Sequence, residues 1–578
     1  MAGLHIVRTD SRDDPALVAA RAQFARHGFA APSVLRWPGW TALHFGYAVG
    51  GVETLHVDGD DFVAVAGTLT FGNAIGKPAL VALLAGWAGV PDWDRLGGQF
   101  TVLIRKTGRT TIFGDWFGAH QLFHDDDLGV LTTSFLAAVR ALPRPRFDAQ
   151  GVYEFAFNVV PIGNDTVIEG LKLLDPRTML TLDRDGAHVV AIEKRLPDTA
   201  DAMPPAERIA LHRRLLMRVV DAHVGHFGDR IFCPLSGGID SRLLLAALRA
   251  AGSRPHVYVY GDRDEDDVVF AEAIGQAMGF AVEWVDKDGA VSVTPDGFAE
   301  RVATDFEQFD ALPTFGNIFD NGGAAYGRDK RHAGGALAAS GGCGEIWRDF
   351  FFLPDRPLSP RAVAHSFFAR FDARDATGAF DPRAFLGAIE AKIADALGVA
   401  NPAAKLSRQW IEQAYPRVRC RSLFGREISL ESRLSPYMMP FLDHRLVAAA
   451  MRLPMPMKQA GRFEAQLLAA IDPELAAQPS AYGHSFTEPP SAAHVRSEAL
   501  SRIRPAWLRR RSYAIQRRLG RATGDEHGGL LTPEWLGRVL DLDMPAMRRF
   551  FVIERIADRA VYRRIAALEY LAEQTGLA

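Results

Sequence analysis

The chain has 578 residues, 48% of them hydrophobic and 23% charged, with a formal net charge of -3. That balance predicts a soluble globular protein of about two to four domains and argues against a general nucleic-acid binder. Three cysteines, Cys233, Cys343 and Cys420, sit far apart without metal-ligand spacing, which suits a reducing cytoplasm rather than a disulfide framework. The N-terminus has no basic region followed by an apolar core, and no apolar run reaches spanning length. The expected protein is therefore cytoplasmic, with no transmembrane segment.

In chain order, the first 200 residues read as β-rich. Short apolar runs such as Phe62-Val63-Ala64-Val65-Ala66, Phe100-Thr101-Val102-Leu103-Ile104 and Thr110-Thr111-Ile112-Phe113 are punctuated by glycine-containing turns. A polar, proline-containing stretch at 198–205 is the first linker, and a helical pattern follows over 207–226. Next come a short apolar run from Asp229, the sequence Pro234-Leu235-Ser236-Gly237-Gly238-Ile239-Asp240-Ser241, and a one-faced helical pattern through Leu248. A strand at 256–260 and a helix at 270–278 repeat the alternation, which predicts a parallel sheet with ligands at the carboxyl ends of its strands. Beyond residue 358 the pattern is largely helical. Residues 491–578 read as a basic helical extension.

The Ser236–Ser241 stretch carries the chemistry. Two glycines let backbone approach an anion, free amides at a helix start point their dipoles at it, and two serines add hydroxyl donors. Asp240 is a hard oxygen ligand suited to magnesium. No lysine ends the stretch, so it is not the G-x-x-x-x-G-K-[ST] loop. The plain alternative is a glycine-rich turn between a buried strand and helix.

Ser-Gly-Gly-x-Asp-Ser resembles the loop of the ATP pyrophosphatases, and the chain to about residue 490 resembles the asparagine synthetase family, class B. Further marks of the resemblance are Arg95-Leu96-Gly97-Gly98-Gln99-Phe100, Gly114-Asp115-Trp116-Phe117-Gly118, Ile162-Gly163-Asn164-Asp165-Thr166, Ser340-Gly341-Gly342-Cys343-Gly344-Glu345 and Pro440-Phe441-Leu442-Asp443. The resemblance implies an α/β protein in three parts. Residues 1–200 would be a glutaminase-like (Ntn-type) β-sandwich, and 201–490 an ATP-pyrophosphatase-type parallel-sheet synthetase domain. The helical C-terminal part would follow.

By position, the resemblance implies that Ser236, Gly237, Gly238 and Ser241 hold pyrophosphate, and that Leu235, Tyr260 and Gly261 flank adenine. Gly341 would lie near the ribose and α-phosphate, and Asp240 and Glu345 would hold Mg2+. Either Lys458 or Arg462 would be the catalytic cation. ATP and magnesium are the implied cofactors. A carboxylate substrate and an amine, each a small molecule, peptide or saccharide, are the implied partners.

The chain also departs from that pattern. It begins Met1-Ala2-Gly3-Leu4 where a glutaminase needs an exposed cysteine, so the first domain is expected to be inactive, a relic or a platform. The family's R-G-P-D and N-G-E stretches are not recognisable. Glu345 stands where the family has Asp. Gly342 stands where glutamine-dependent members have Glu and β-lactam-forming members Tyr, which leaves Glu412, Tyr415 or Glu427 as base. Residues 479–486 replace the family's R-x-K-x-G-F.

These features imply an AMP-forming carbon–nitrogen ligase. Its substrate stays open between a lasso-type peptide, a polysaccharide uronic acid and ammonia-dependent asparagine formation, and a pseudoenzyme scaffold is the alternative of another class. Two expectations concern surface and core. The arginine-rich segment 496–521 is a solvated hairpin or a surface for an anionic partner, and Phe350-Phe351-Phe352 is core. His5, His256 and His332 are expected to be structural, and the acidic run 262–267 a solvated loop.

Overall fold

The computed structural model describes residues 3–505, 508–509 and 530–577. Its first part stacks two antiparallel sheets. One has six strands in the order β11 (Leu171–Leu173), β9 (Phe123–Asp125), β10 (Val130–Thr132), β1 (Gly3–Val7), β3 (Trp40–Phe45) and β2 (Ser33–Trp37). The other has seven. Its order is β13 (Gly186–Ala191), β12 (Thr178–Asp183), β8 (Arg109–Gly114), β7 (Leu96–Lys106), β5 (Asp61–Phe71) and β4 (Leu55–Asp58), with β6 (Ala74–Ile75) paired to β5.

Ile6, Trp40 and Leu43 of the first sheet meet Ala64, Leu103, Ile112 and Leu180 of the second in one core. The helix Lys77–Gly86 covers the far face of the second sheet, where Leu80 and Leu83 pack with Val63, Val65, Val102 and Phe113. Alternate residues of β5 therefore enter two different cores, Phe62, Ala64 and Ala66 into one and Val63 and Val65 into the other. A strand buried on both faces reads as an unbroken apolar run, which is why 62–66 carries no polar residue.

The second part is a five-stranded parallel sheet. Its order is β16 (Val282–Val285), β15 (His256–Tyr260), β14 (Ile231–Pro234), β17 (Leu337–Ala339) and β18 (Tyr437–Met438). Chain order runs outward from β14 in both directions, so the connections diverge there and open a crevice at its carboxyl end. The chain is thus α/β, with antiparallel sheets first and a parallel sheet second. β18 lies inside the stretch that reads as helical, because a two-residue edge strand is too short to leave a pattern. The helix Arg559–Thr575 joins the core of this second part, with Tyr570 packed edge-on against Phe306.

A buried carboxylate locks the two parts together. Asp310 accepts from the Phe135 and Leu136 amides at 2.6 and 2.9 Å, and from Arg433 at 2.6 Å. Among the described residues, no helix is long and apolar enough to cross a membrane.

Candidate active site

The loop that follows β14 ends in the helix Ile239–Ala250, whose N-cap, Gly238, has no side-chain cap. Its first amides are therefore available to a ligand. The Ser236 and Ser241 hydroxyls touch at 2.9 Å, and the Gly238 amide donates to Ser236 Oγ at 3.2 Å. The Gly237 amide donates at 2.9 Å to Asp267, a carboxylate seated where an anion would be bound. Asp267 belongs to the acidic run that reads as a solvated loop; it is exposed and also bonds the glycine loop.

Residues 340–345, after β17, close on the start of that helix. A Cβ on Gly341 would stand 3.0 Å from the backbone of Asp240 and Ser241, and one on Gly344 would stand 1.9 Å from Asp240 Oδ1. Glycine at both positions lets the Asp240 carboxylate reach the loop. Gly342 has a different constraint, since its Cβ would meet Met439 Cε at 2.9 Å and the Phe424 ring at 3.0 Å. Those two side chains fill the space that a Glu or Tyr would need.

Asp240, Glu345 and Glu464 converge on Arg348, at 2.5, 3.5 and 3.4 Å. Tyr415 donates to Glu345 Oε2. Asp240 Oδ1 and both oxygens of Glu464 are buried without a hydrogen-bond partner. Burial, and then the Asp240 charge, hold the Glu464 carboxyl well above the usual carboxylate range. Among the described residues no group of three or more metal-ligating side chains is arranged as a formed metal centre. The orphaned oxygen of Asp240 and the carboxylate of Glu345 are hard donors that nonetheless fit magnesium.

The two expected cations part company. Lys458 is 1% exposed and donates to the Ile346 carbonyl at 2.7 Å, which ties it to the 340–345 loop, and it lies 3.6 Å from Glu412. Burial lowers its pKa. Arg462 is exposed and reaches only the Pro456 carbonyl. Of the three base candidates, Tyr415 alone touches the carboxylate cluster. Glu412 is held by Arg408 and Lys458, and Glu427 accepts from Tyr437 at 3.0 Å on a different wall.

Two cavities flank the loop. One, of about 800 Å3, lies at the ends of β15 and β16 and is lined by Tyr260, Gly261, Lys287, Arg331 and Glu427. Leu235 does not reach it; the side chain is 1% exposed and part of the core.

The other cavity, of about 400 Å3, is lined by Ile239, Glu345, Arg348, Phe350, Phe352 and Tyr482. Here the expectation of core holds in part, since Phe351 belongs to the core and Phe350 packs against it, while all three also line this cavity. Phe351 is buried, but Phe350 and Phe352 are half-exposed on the cavity wall, with Phe352 at a φ of 48° that turns the chain. Ala481, from the segment 479–486, covers Gly237 with a 3.2 Å bond from its amide to the Gly237 carbonyl.

Within the basic segment, Arg502 turns inward to Asp349 at 2.9 Å and Arg509 to the Phe351 carbonyl at 2.8 Å. Arg510, Arg511, Arg517, Arg518 and Arg521 lie outside the described residues, as do Met1 and Ala2. The three histidines are held structurally. His5 packs edge-on against Phe24, His256 meets Glu283 at 2.6 Å, and His332 meets Glu431 at 2.8 Å.

Sequence reasoning missed Arg348, Glu464 and Asp267. The only local sign was the i, i+3 spacing of Glu345 and Arg348 on one turn.

No protein-family profile and no curated protein matches the chain. Among solved structures it is similar to glutamine phosphoribosylpyrophosphate amidotransferase from B. subtilis complexed with ADP and GMP. That overlap has 11% identity and a TM-score of 0.23, covering 50% of this chain and 92% of the other. It is also similar to the allosteric regulatory enzyme of purine biosynthesis, at 14% identity and a TM-score of 0.23, covering 53% and 77%. Likeness of this degree assigns neither family nor activity.

Proposed function

We propose that this chain is an ATP-dependent, AMP-forming amide ligase of the asparagine synthetase type, with a glutaminase-like sandwich ahead of an ATP-pyrophosphatase-type domain. The supporting observation is the Ser236–Ser241 loop at the divergence point of a parallel sheet, with Glu345 and Arg348 lining a cavity beside it and Asp240 paired to that Arg348.

In this reading ATP is a substrate, with its phosphates on the loop amides and serines and its base toward Tyr260 and Gly261. Magnesium would be held by Asp240 and Glu345 and would offset phosphate charge. A carboxylate oxygen attacks the α-phosphorus and the bond to pyrophosphate breaks. An amine nitrogen then attacks the acyl carbon, the bond to AMP breaks, and the amine proton passes to the Tyr415–Glu345 pair. Lys458 supplies fixed positive charge to the acyl-adenylate. The cover formed by 479–486 keeps water from the mixed anhydride.

The aromatic wall of the 400 Å3 cavity favours an acid carried on a larger, partly apolar substrate such as a peptide over free aspartate.

The test is ATP–pyrophosphate exchange with aspartate, uronic acids and an Asp- or Glu-containing peptide supplied singly. Exchange with one class, lost about 100-fold or more in Asp240→Asn, is the expected result. No exchange and no ATP binding would sink the ligase reading in favour of a scaffold.

A further inference from the structure

A separate cavity, of about 30 Å3, lies in the seam between the sandwich and the helices of the second part. Five cations line it, Arg177, Lys194, Lys392, Arg417 and Arg421, against two carboxylates, Asp175 and Asp395. Arg177 pairs with both carboxylates, at 2.7 and 2.8 Å, and Lys392 pairs with Glu154 at 2.6 Å and Asp165 at 2.8 Å. The other three have no carboxylate within ion-pairing distance among the described residues.

The donors of these three end on neutral acceptors. Lys194 Nζ reaches the Asp115 carbonyl at 3.0 Å. Arg417 reaches Gln413 Oε1 at 3.2 Å and the Lys194 carbonyl at 2.8 Å. Arg421 reaches the Gly163 and Leu174 carbonyls at 2.9 and 3.1 Å. Arg421 is 5% exposed, and its Nε has no partner at all.

Three clustered cations with no carboxylate in direct ion-pair contact are costly in a seam of low dielectric. Burial brings the Lys194 amine down to about 7, with Asp115 and Asp175 opposing and Arg417 and Arg421 adding to the effect. Burial likewise brings Arg417 and Arg421 down to about 10. The volume has room for about two waters, which suits a small anion and excludes a nucleotide.

We propose that this seam cavity binds a small tetrahedral oxyanion of the phosphate class, held by Lys194, Arg417 and Arg421. The occupant neutralises the cluster and fixes the π-helix Tyr415–Phe424, which carries both arginines. The same π-helix bears Tyr415, bonded to Glu345, and Phe424, packed against Gly342, so the anion also steadies one wall of the candidate active site.

Sulfate is the probe, because it does not titrate between pH 6 and 9. Equilibrium dialysis of labelled sulfate against the full chain is compared with Ser241→Ala, which weakens any binding at the glycine loop, and with Ser241→Ala/Arg417→Gln. One saturable sulfate is expected in Ser241→Ala, displaced by phosphate but not by equal acetate or chloride, and bound at least about tenfold more weakly once Arg417 is removed. Its affinity falls by up to about tenfold per pH unit above 7, because Lys194 must take up a proton on binding. The charged groups facing Lys194 are Asp115, Asp175, Arg417 and Arg421, and His444 nearby is lowered to about 4 and stays neutral throughout. No saturable sulfate in Ser241→Ala, equal competition by acetate, or unchanged affinity without Arg417 would overturn the proposal. So would a flat pH profile in Ser241→Ala, a readout that needs no substitution in the seam.

Discussion

Arg348 Nη2 lies 2.5 Å from Asp240 Oδ2, joining residues 108 positions apart and placing a guanidinium on the carboxylate that the sequence marks as a magnesium ligand. Glu345 and Glu464 face the same guanidinium. The arginine thus draws the three carboxyl groups into one cluster. Arg348→Met is expected to lower stability by about 2 kcal/mol, less than the ~3–5 kcal/mol of a fully buried pair. The discount reflects the 21% and 27% of side-chain surface that the two residues keep exposed. Magnesium should then raise the melting midpoint of the variant more than that of the wild type. Equal magnesium responses in the two proteins would remove Asp240 from the metal assignment.

The packing around Gly342 leaves little room for any side chain. With Met439 Cε and the Phe424 ring within about 3 Å of where a Cβ would stand, any side chain there must push one of them aside. Gly342→Ala is expected to cost about 1–3 kcal/mol through overpacking. Gly342→Tyr should cost more, and Phe424→Ala should recover part of that loss in the double variant. Denaturant midpoints of the four proteins measure this directly, and a Gly342→Ala midpoint equal to wild type would show that the pocket yields freely.

Lys458 and Arg462, four positions apart, should separate cleanly. Lys458→Met leaves Glu412 still paired with Arg408, so the fold should lose only about 1 kcal/mol. Amide formation should fall by about 100- to 1,000-fold if the buried ammonium faces the developing charge. Arg462→Ala, at an exposed site, should stay within about 0.5 kcal/mol and close to full activity. Comparable losses in both variants would mean that the burial of Lys458 serves packing alone.

The pH dependence of stability should carry the mark of Glu427. Burial, and then the charge of Glu431, raise its carboxyl to about 7 from 4.5. The folded protein therefore keeps a proton that the unfolded chain gives up between those values. The resulting stability is complete below pH 4.5 and is lost as pH rises through 7. Because the carboxylate opens on the 800 Å3 cavity, the swing is expected to be about 1–2 kcal/mol rather than the full shift. Glu427→Gln should flatten that part of the profile and raise stability at pH 8, as urea titrations at pH 5, 6.5 and 8 would record.

Much of the fold was legible because its signals are local. Ser236 to Ser241 sit within six residues, β14 and the helix after it flank them directly, and the alternation through Tyr260 follows from one short period after another. The site was legible only where it stays within one loop. Asp240 meets Arg348, Tyr415 meets Glu345 and Phe424 meets Gly342 across 70 to 108 positions, and no spacing rule reaches that far. Phe352 misled for a related reason, since an aromatic triplet reads the same whether it faces a core or a cavity. Whether a phenylalanine lines a pocket depends on what the chain elsewhere leaves empty.

Tyr415 offers the sharpest test of how the two half-reactions of the proposed ligase divide. Its hydroxyl bonds Glu345 Oε2, and the ring is buried at the start of the π-helix, against Phe350 at a centroid distance of 4.6 Å. Tyr415→Phe removes one oxygen and keeps that packing, so stability should change by about 1 kcal/mol. Adenylation needs no proton acceptor for an amine, and pyrophosphate exchange should therefore stay within about threefold of wild type. Amide formation requires one, and should fall by about 100- to 10,000-fold. A parallel loss of both activities would instead make Tyr415 a support for the Glu345 side chain, and with it for the cation site, with the amine proton leaving by another route.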